Sequence, residues 1–119
     1  MTTVGDLNSQ LIKHKIVVIK YGADFCQPCQ KIKPAYEELK ESRLDTKFIE
    51  IDYNDMDTEL LSDDVFGIKK IPCIKTFIEA TKIGDFIGLE CVVNTKKVLE
   101  FEDRMKCHFV QPVRAETQS

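Results

Sequence analysis

The sequence predicts an α/β domain, and two neighbouring stretches carry that reading. Ile16-Val17-Val18-Ile19 is a short continuous β-branched run, the mark of a strand buried on both faces of a sheet. Downstream, Ile32, Ala35, Tyr36 and Leu39 fall at i, i+3, i+4 and i+7, one face of a helix. Between the two stretches lies Phe25-Cys26-Gln27-Pro28-Cys29, which places a Cys-x-x-Cys on the first turn of a helix that follows a strand's C-terminal end. In open α/β sheets that edge is where sites form.

The spacing has a chemical reason. Two residues between cysteines on a first helical turn bring the sulfurs within reach of a small disulfide ring, and Pro28 suits a turn whose N–H groups lack helical partners. Those N–H groups and the positive end of the helix dipole favour a thiolate at Cys26, the expected exposed nucleophile. Cys29, one turn further in, is the expected resolving thiol. The competing reading is half of a structural zinc site. It needs further ligands at usable spacing, and the sequence has no second Cys-x-x-Cys and no His-x-x-x-His. The redox pair is the favoured reading, and no metal is assigned.

Taken in order, Leu7, Leu11 and Ile12 predict a short amphipathic helix ahead of the first strand, Ile16 to Tyr21. His14, between two lysines, reads as a solvated loop residue. The helix from Cys26 to about Glu41 contains Pro34, which removes a hydrogen bond and should bend it. A strand follows from Phe48 to Tyr53. The stretch from Glu50 to Asp64 holds seven acidic residues and no basic one. It fails as a calcium loop, because Leu60 stands where the tight turn needs glycine and no glutamate closes the loop. A solvated acidic face capping a helix that carries Leu60, Leu61 and Val65 is the better reading. Cys73 to Glu79 and Lys82 to Ile87 predict a hairpin turning at Ala80-Thr81. Asn94 offers an N-cap for a last helix with the stripe Val98, Phe101 and Met105. Residues 1–108 read as one domain and 109–119 as a frayed tail.

From Ile16 to Gly88 the order of parts resembles the thioredoxin family. The buried strand leads into the Cys-x-x-Cys, and Pro34 follows five residues after the second cysteine. A strand ending in an acid comes next (Phe48-Ile49-Glu50-Ile51-Asp52), then a short helix closed by Gly67 and the segment Gly67-Ile68-Lys69-Lys70-Ile71-Pro72. Gly88 stands where the family has a glycine after its final hairpin. The resemblance spans about two thirds of the chain. It implies a thioredoxin fold, a central mixed sheet with helices on both faces, where periodicity alone says only α/β. It also implies thiol–disulfide exchange on protein disulfides, with a thioredoxin reductase or glutathione system as electron donor and no cofactor. Phe25, Gln27 and Pro28 would then shape the site, Phe25 as an apolar shield. Pro72 would be cis and face the cysteines, and the backbone of Ile71 would meet a bound peptide as an added strand does.

The departures from the family pattern bear on function. Lys20 stands where thioredoxins usually carry a buried acid behind the cysteines. A buried ammonium must be paired, lose its proton or snorkel to water. Snorkelling is the default expectation, and Glu50 on the neighbouring strand is the candidate partner otherwise. Gly22 replaces an aromatic, leaving a gap or a wider entrance. Cys73 follows Pro72 and should lie near the cysteine pair, as a small packed residue or, in a sharper reading, as a third thiol able to join the pair around a metal. Cys91 and Cys107 read as incidental, with a surface Cys107 able to link two chains on oxidation. The alternative to an oxidoreductase is a binding or adaptor module that keeps the fold and makes little use of its thiols.

Composition sets the outer bounds. A chain of 119 residues has room for one domain and one core. A net charge of −3 gives no reason to expect nucleic acid, and no apolar run approaches membrane-spanning length. Five cysteines, an odd number at irregular spacing, suit a reducing compartment better than a secreted disulfide framework. With no signal-like leader at its start, a cytoplasmic location and a part in cell redox homeostasis are expected.

Overall fold

The computed structural model describes residues 2–110, with side chains as far as residue 105. The expected tail beyond 110 and the side chain of Cys107 lie outside the described residues. Four strands form one mixed sheet in the order β2-β1-β3-β4: β1 (Ile16–Gly22), β2 (Thr46–Asp52), β3 (Cys73–Ile78) and β4 (Thr81–Ile87). β1 runs parallel to β2 and antiparallel to β3, and β3 and β4 make the hairpin. Four helices complete the chain: α1 (Val4–Lys13), α2 (Gln27–Ser42), α3 (Thr58–Leu61) and α4 (Cys91–Val110).

β1 is buried from Ile16 to Tyr21 because both faces of the sheet are covered. Val17, Ile19 and Tyr21 pack toward Leu7 and Leu11 of α1, Leu60 of α3, and Phe66. Ile16 and Val18 pack toward Ile32, Tyr36 and Leu39 of α2 and Cys91, Val92 and Leu99 of α4. The period-two alternation of a strand thus splits one β-branched run between two cores. Each fully buried aliphatic side chain contributes about 1.5–3 kcal/mol. The Tyr21 hydroxyl, carried into the first core, donates to the carbonyl of Phe66 at 2.8 Å. Arg43, just past α2, clamps Asp103 of α4 with its guanidinium at 2.9 and 3.3 Å.

Several local expectations need correction. α1 starts at a capping box in which Thr3 and Asp6 exchange hydrogen bonds at 3.0 and 3.1 Å, and its buried face is Leu7 and Leu11. Ile12 is 84% exposed. Ala35 also faces outward, leaving Ile32, Tyr36 and Leu39 as the buried stripe of α2. Tyr53 opens a short 3-10 turn after β2 instead of ending the strand. Asp57 caps α3 through the Leu60 N–H at 2.8 Å, but the helix stops at Leu61, and Val65 lies beyond it, exposed. Gly67 passes so close to that turn that a Cβ would stand 2.6 Å from the Leu61 carbonyl oxygen.

The hairpin turns at Glu79-Ala80, one residue earlier than expected, with both residues at positive φ of 50° and 66°. That two-residue geometry matches the right-handed twist of the strands but favours asparagine and glycine over the residues present. α4 starts at Cys91, so Asn94 lies inside it and is not its N-cap. Its buried stripe is Cys91, Val92, Thr95 and Leu99, while Phe101 and Met105 are about half exposed. Cys91 is a core residue of the α2/α4 face and not incidental.

Candidate active site

The site begins where β1 ends. A turn closed by the Cys26 N–H on the Ala23 carbonyl at 3.2 Å carries the chain into α2. Cys26 is the N-cap residue, with extended backbone, and its Sγ accepts a hydrogen bond from the Cys29 N–H at 3.2 Å. A sulfur therefore takes the capping role usually filled by Ser, Thr, Asp or Asn, and it stands where the helix dipole is positive. Cys26 and Cys29 are joined as a disulfide, with Cα atoms 5.2 Å apart. Pro28 sits in the first turn, where no hydrogen bond is lost.

The disulfide is shielded more than the sequence suggests: Cys26 is only 7% exposed and Cys29 6%. The two pack with Ala23, and Ile71 lies against them. The Ile71–Pro72 peptide bond is cis. The Pro72 carbonyl accepts from the N–H of Gly88 at 3.0 Å, and Gly88 holds a φ of +87° that glycine adopts without strain. Gly22 leaves less of a gap than expected, because a Cβ there would already meet Cys29 Sγ at 3.4 Å. Phe25 is 70% exposed, so it offers apolar surface to solvent in place of the shield expected of it. Gln27 and Pro28 are exposed beside it.

Lys20 does not snorkel to water. The residue is 9% exposed, and its Nζ lies 3.4 Å from Oε1 of Glu50 and 4.5 Å from the Tyr36 ring centroid. Cys73 packs on the other face of the sheet, with Tyr21, Phe66 and Phe77 rather than with Cys26 and Cys29. Its Sγ is 3.6 Å from Asp85 Oδ1. Burial pushes the Cys73 thiol up to about 12, with Lys75 opposing and Asp85 adding to the rise. Among the described residues no group of three or more His, Cys, Asp or Glu side chains is placed to hold a metal ion, and Cys73 packs in a different cluster from Cys26 and Cys29. Sequence reasoning missed the cluster beside Cys73. Lys75, only 4% exposed, places Nζ 2.6 Å from Asp85 Oδ2, and Lys82 reaches the same oxygen at 3.0 Å. The signal was present in the hairpin, where Lys75 and Asp85 are directly opposed.

A mixed sheet with helices on both faces, carrying a disulfide-bonded cysteine pair at a helix N-terminus, defines a thiol–disulfide oxidoreductase in general terms. The chain belongs to the thioredoxin family, whose model, described as Thioredoxin, matches residues 1–100. It is 32% identical over 85 residues to thioredoxin from Bos taurus, an alignment covering 67% of this chain and 78% of that protein. Among solved structures, thioredoxin from Schistosoma mansoni superposes with a TM-score of 0.66 at 28% identity, covering 82% of this chain and 88% of that one. A mutant thioredoxin from Halobacterium salinarum NRC-1 shares the fold with a TM-score of 0.70 at 24% identity, covering 84% of this chain and 85% of that one. Among the described residues no helix is long and apolar enough to cross a membrane.

Proposed function

We propose that this protein exchanges electrons with protein disulfides in the cytoplasm, with Cys26 as nucleophile and Cys29 as resolving thiol. The observation that carries the reading is the capped sulfur: Cys26 Sγ receives the Cys29 N–H at the positive end of α2. The same N–H and dipole favour a thiolate on Cys26 once the disulfide is reduced. Cys26 thiolate attacks one sulfur of a client disulfide, forming a mixed disulfide and expelling the other client sulfur as thiolate. Cys29, deprotonated, attacks Cys26 Sγ and releases the second client thiolate. The client gains two electrons, and the protein ends as the Cys26–Cys29 disulfide.

With both sulfurs largely buried, the client must present an extended segment edge-on. Among the described residues neither the N–H nor the C=O of Ile71 makes a backbone hydrogen bond, and this leaves a free edge for an added strand beside the disulfide. Re-reduction falls to a thioredoxin reductase or a glutathione system. The free thiols Cys73 and Cys91, both buried, are compatible with a reducing compartment. The test is reduction of insulin disulfides by the pre-reduced protein. Wild type should turn over with an electron donor present, and Cys26→Ser should not. Equal rates for the two, or no reaction by wild type, would leave a binding module as the better description.

A further inference from the structure

Next to the disulfide lies a cleft of about 410 Å³ lined by Phe25, Tyr53, Ile68, Lys69, Lys70 and Ile71. Its walls are of two kinds. Phe25 and Tyr53 are 70% and 41% exposed and Ile68 and Ile71 half-buried, an apolar surface continuous with the disulfide through Ile71. Lys69 and Lys70 are exposed and, among the described residues, neither forms an ion pair. Lys20, Lys40, Lys75, Lys82 and Arg43 have carboxylate partners, whereas the other described lysines, like Lys69 and Lys70, form no ion pair. Asp63, Asp64 and Asp85 share a neighbouring cleft with Lys69 and Lys70, but among the described residues none of them forms an ion pair with either lysine: Asp63 Oδ2 is occupied by the N–H groups of Val65 and Phe66 at 3.0 and 2.8 Å, and Asp85 by Lys75 and Lys82. A chain with a net charge of −3 thus places two exposed lysines without ion-pair partners in the wall of the cleft that Ile71 joins to the disulfide.

We infer that this cleft selects client segments in which the disulfide cysteine is flanked by an apolar residue and then by acids. The inference rests on the exchange function proposed above and names its substrate class. A client strand laid along Ile71 with its cysteine at Cys26 puts its neighbouring side chain against Phe25, Tyr53 and Ile71. Lys70 and Lys69 stand one and two residues before Ile71 in the wall of the same cleft, so client carboxylates two or three residues from the cysteine meet them. The apolar contact supplies affinity, and the lysines supply encounter rate and choice between clients.

The experiment uses disulfide-linked dimers of the heptapeptides Glu-Glu-Leu-Cys-Leu-Glu-Glu, Lys-Lys-Leu-Cys-Leu-Lys-Lys and Glu-Glu-Ser-Cys-Ser-Glu-Glu, symmetric so that strand direction does not matter. Second-order rates of reduction by the pre-reduced full chain are measured at low salt and in half-molar salt, with hydroxyethyl disulfide as an uncharged reference. The acidic leucine peptide should react at least about tenfold faster than the basic one at low salt, with a smaller advantage in high salt. It should also outpace the acidic serine peptide. In the double variant Lys69→Glu, Lys70→Glu the acidic-to-basic ratio should reverse; reading the ratio cancels any general change in exchange rate. Equal rates for the acidic and basic peptides, or a ratio that survives in the double variant, overturn the inference. So does equality of the leucine and serine peptides. If hydroxyethyl disulfide is reduced without charge preference among the peptides, only the substrate class is wrong; if nothing is reduced, the exchange function fails as well.

Discussion

Lys20 Nζ lies 3.4 Å from Oε1 of Glu50, its partner in the parallel register of β1 and β2. The other Glu50 oxygen receives Lys40 Nζ from α2 at 3.2 Å, and both ammonium groups approach the Tyr36 ring. The cation that replaces the family's buried acid is therefore neutralised across the strand instead of being left alone. Burial pushes the Glu50 carboxyl up, but the hydrogen bond from Lys40 and the charges of Lys20 and Lys40 outweigh it, and its pKa lies below the usual value.

Glu50→Gln should destabilise the protein by about 1–2 kcal/mol at pH 7, because Lys20 loses its counterion; the effect is discounted for the solvent exposure of Glu50. Urea unfolding measures it. Glu50 has a folded pKa below its unfolded one, so its contribution is full above the unfolded carboxylate value and lost as pH falls from there through the folded value. The gap between wild type and variant should accordingly be widest near neutrality and close in acid. A gap unchanged between pH 7 and pH 3 would show that the pair contributes nothing through charge.

Lys20 and Gly22 share one face of β1, and a Cβ at Gly22 would stand 3.4 Å from Cys29 Sγ, so Lys20 lies on the sheet face that carries the sulfurs. Glu50 offsets most of its charge. Lys20→Met should be close to neutral for stability and should lower the Cys26–Cys29 potential by no more than about 30 mV, the direction that follows from removing a cation that favours thiolate. Equilibration with a glutathione series measures the potential. A rise in potential, or a fall well beyond that limit, would contradict this placement of charge.

The Glu79-Ala80 turn holds two non-glycine residues at positive φ. Replacing them with Asn-Gly should stabilise the protein by about 1 kcal/mol and raise Tm by about 4–6 °C. Thermal unfolding followed by circular dichroism checks it. An unchanged or lower Tm would mean that the side chains present make contacts worth more than the backbone strain.

The sequence made the strand-to-helix junction legible because two independent periodicities meet there, and the Cys-x-x-Cys marks the joint. Ile16 to Ile19 and the Ile32, Tyr36, Leu39 stripe settle on the sheet as their spacing requires. The stripe expected for the last helix missed its buried face because that face is Cys91, Val92, Thr95 and Leu99, which begins three residues before the expected cap and includes a polar residue, while Phe101 and Met105 are half exposed. Asn94 has the chemistry of a cap but not its position. Ile12 and Ala35 show that one apolar residue at helical spacing does not fix the buried face without its tertiary partner. Lys75 and Lys20, buried cations, became intelligible only once the register set Asp85 and Glu50 opposite them.

Burial pushes the thiol of Cys91 up to about 11, as it does Cys73 toward 12. In the reduced protein at pH 7, a brief pulse of iodoacetamide should therefore label Cys26 ahead of Cys73 and Cys91, which should react only on unfolding. Peptide mapping by mass spectrometry reads the order. Early labelling of Cys73 or Cys91 would contradict their burial.

The most direct test of Cys26 as nucleophile is the Cys29→Ser variant mixed with oxidised insulin, followed by non-reducing electrophoresis and mass spectrometry. Without its resolving thiol the protein should accumulate a mixed disulfide joined through Cys26 Sγ, and dithiothreitol should release it. If no such species forms, or if the linkage maps to Cys73 or Cys91, Cys26 is not the attacking sulfur and the exchange mechanism is wrong.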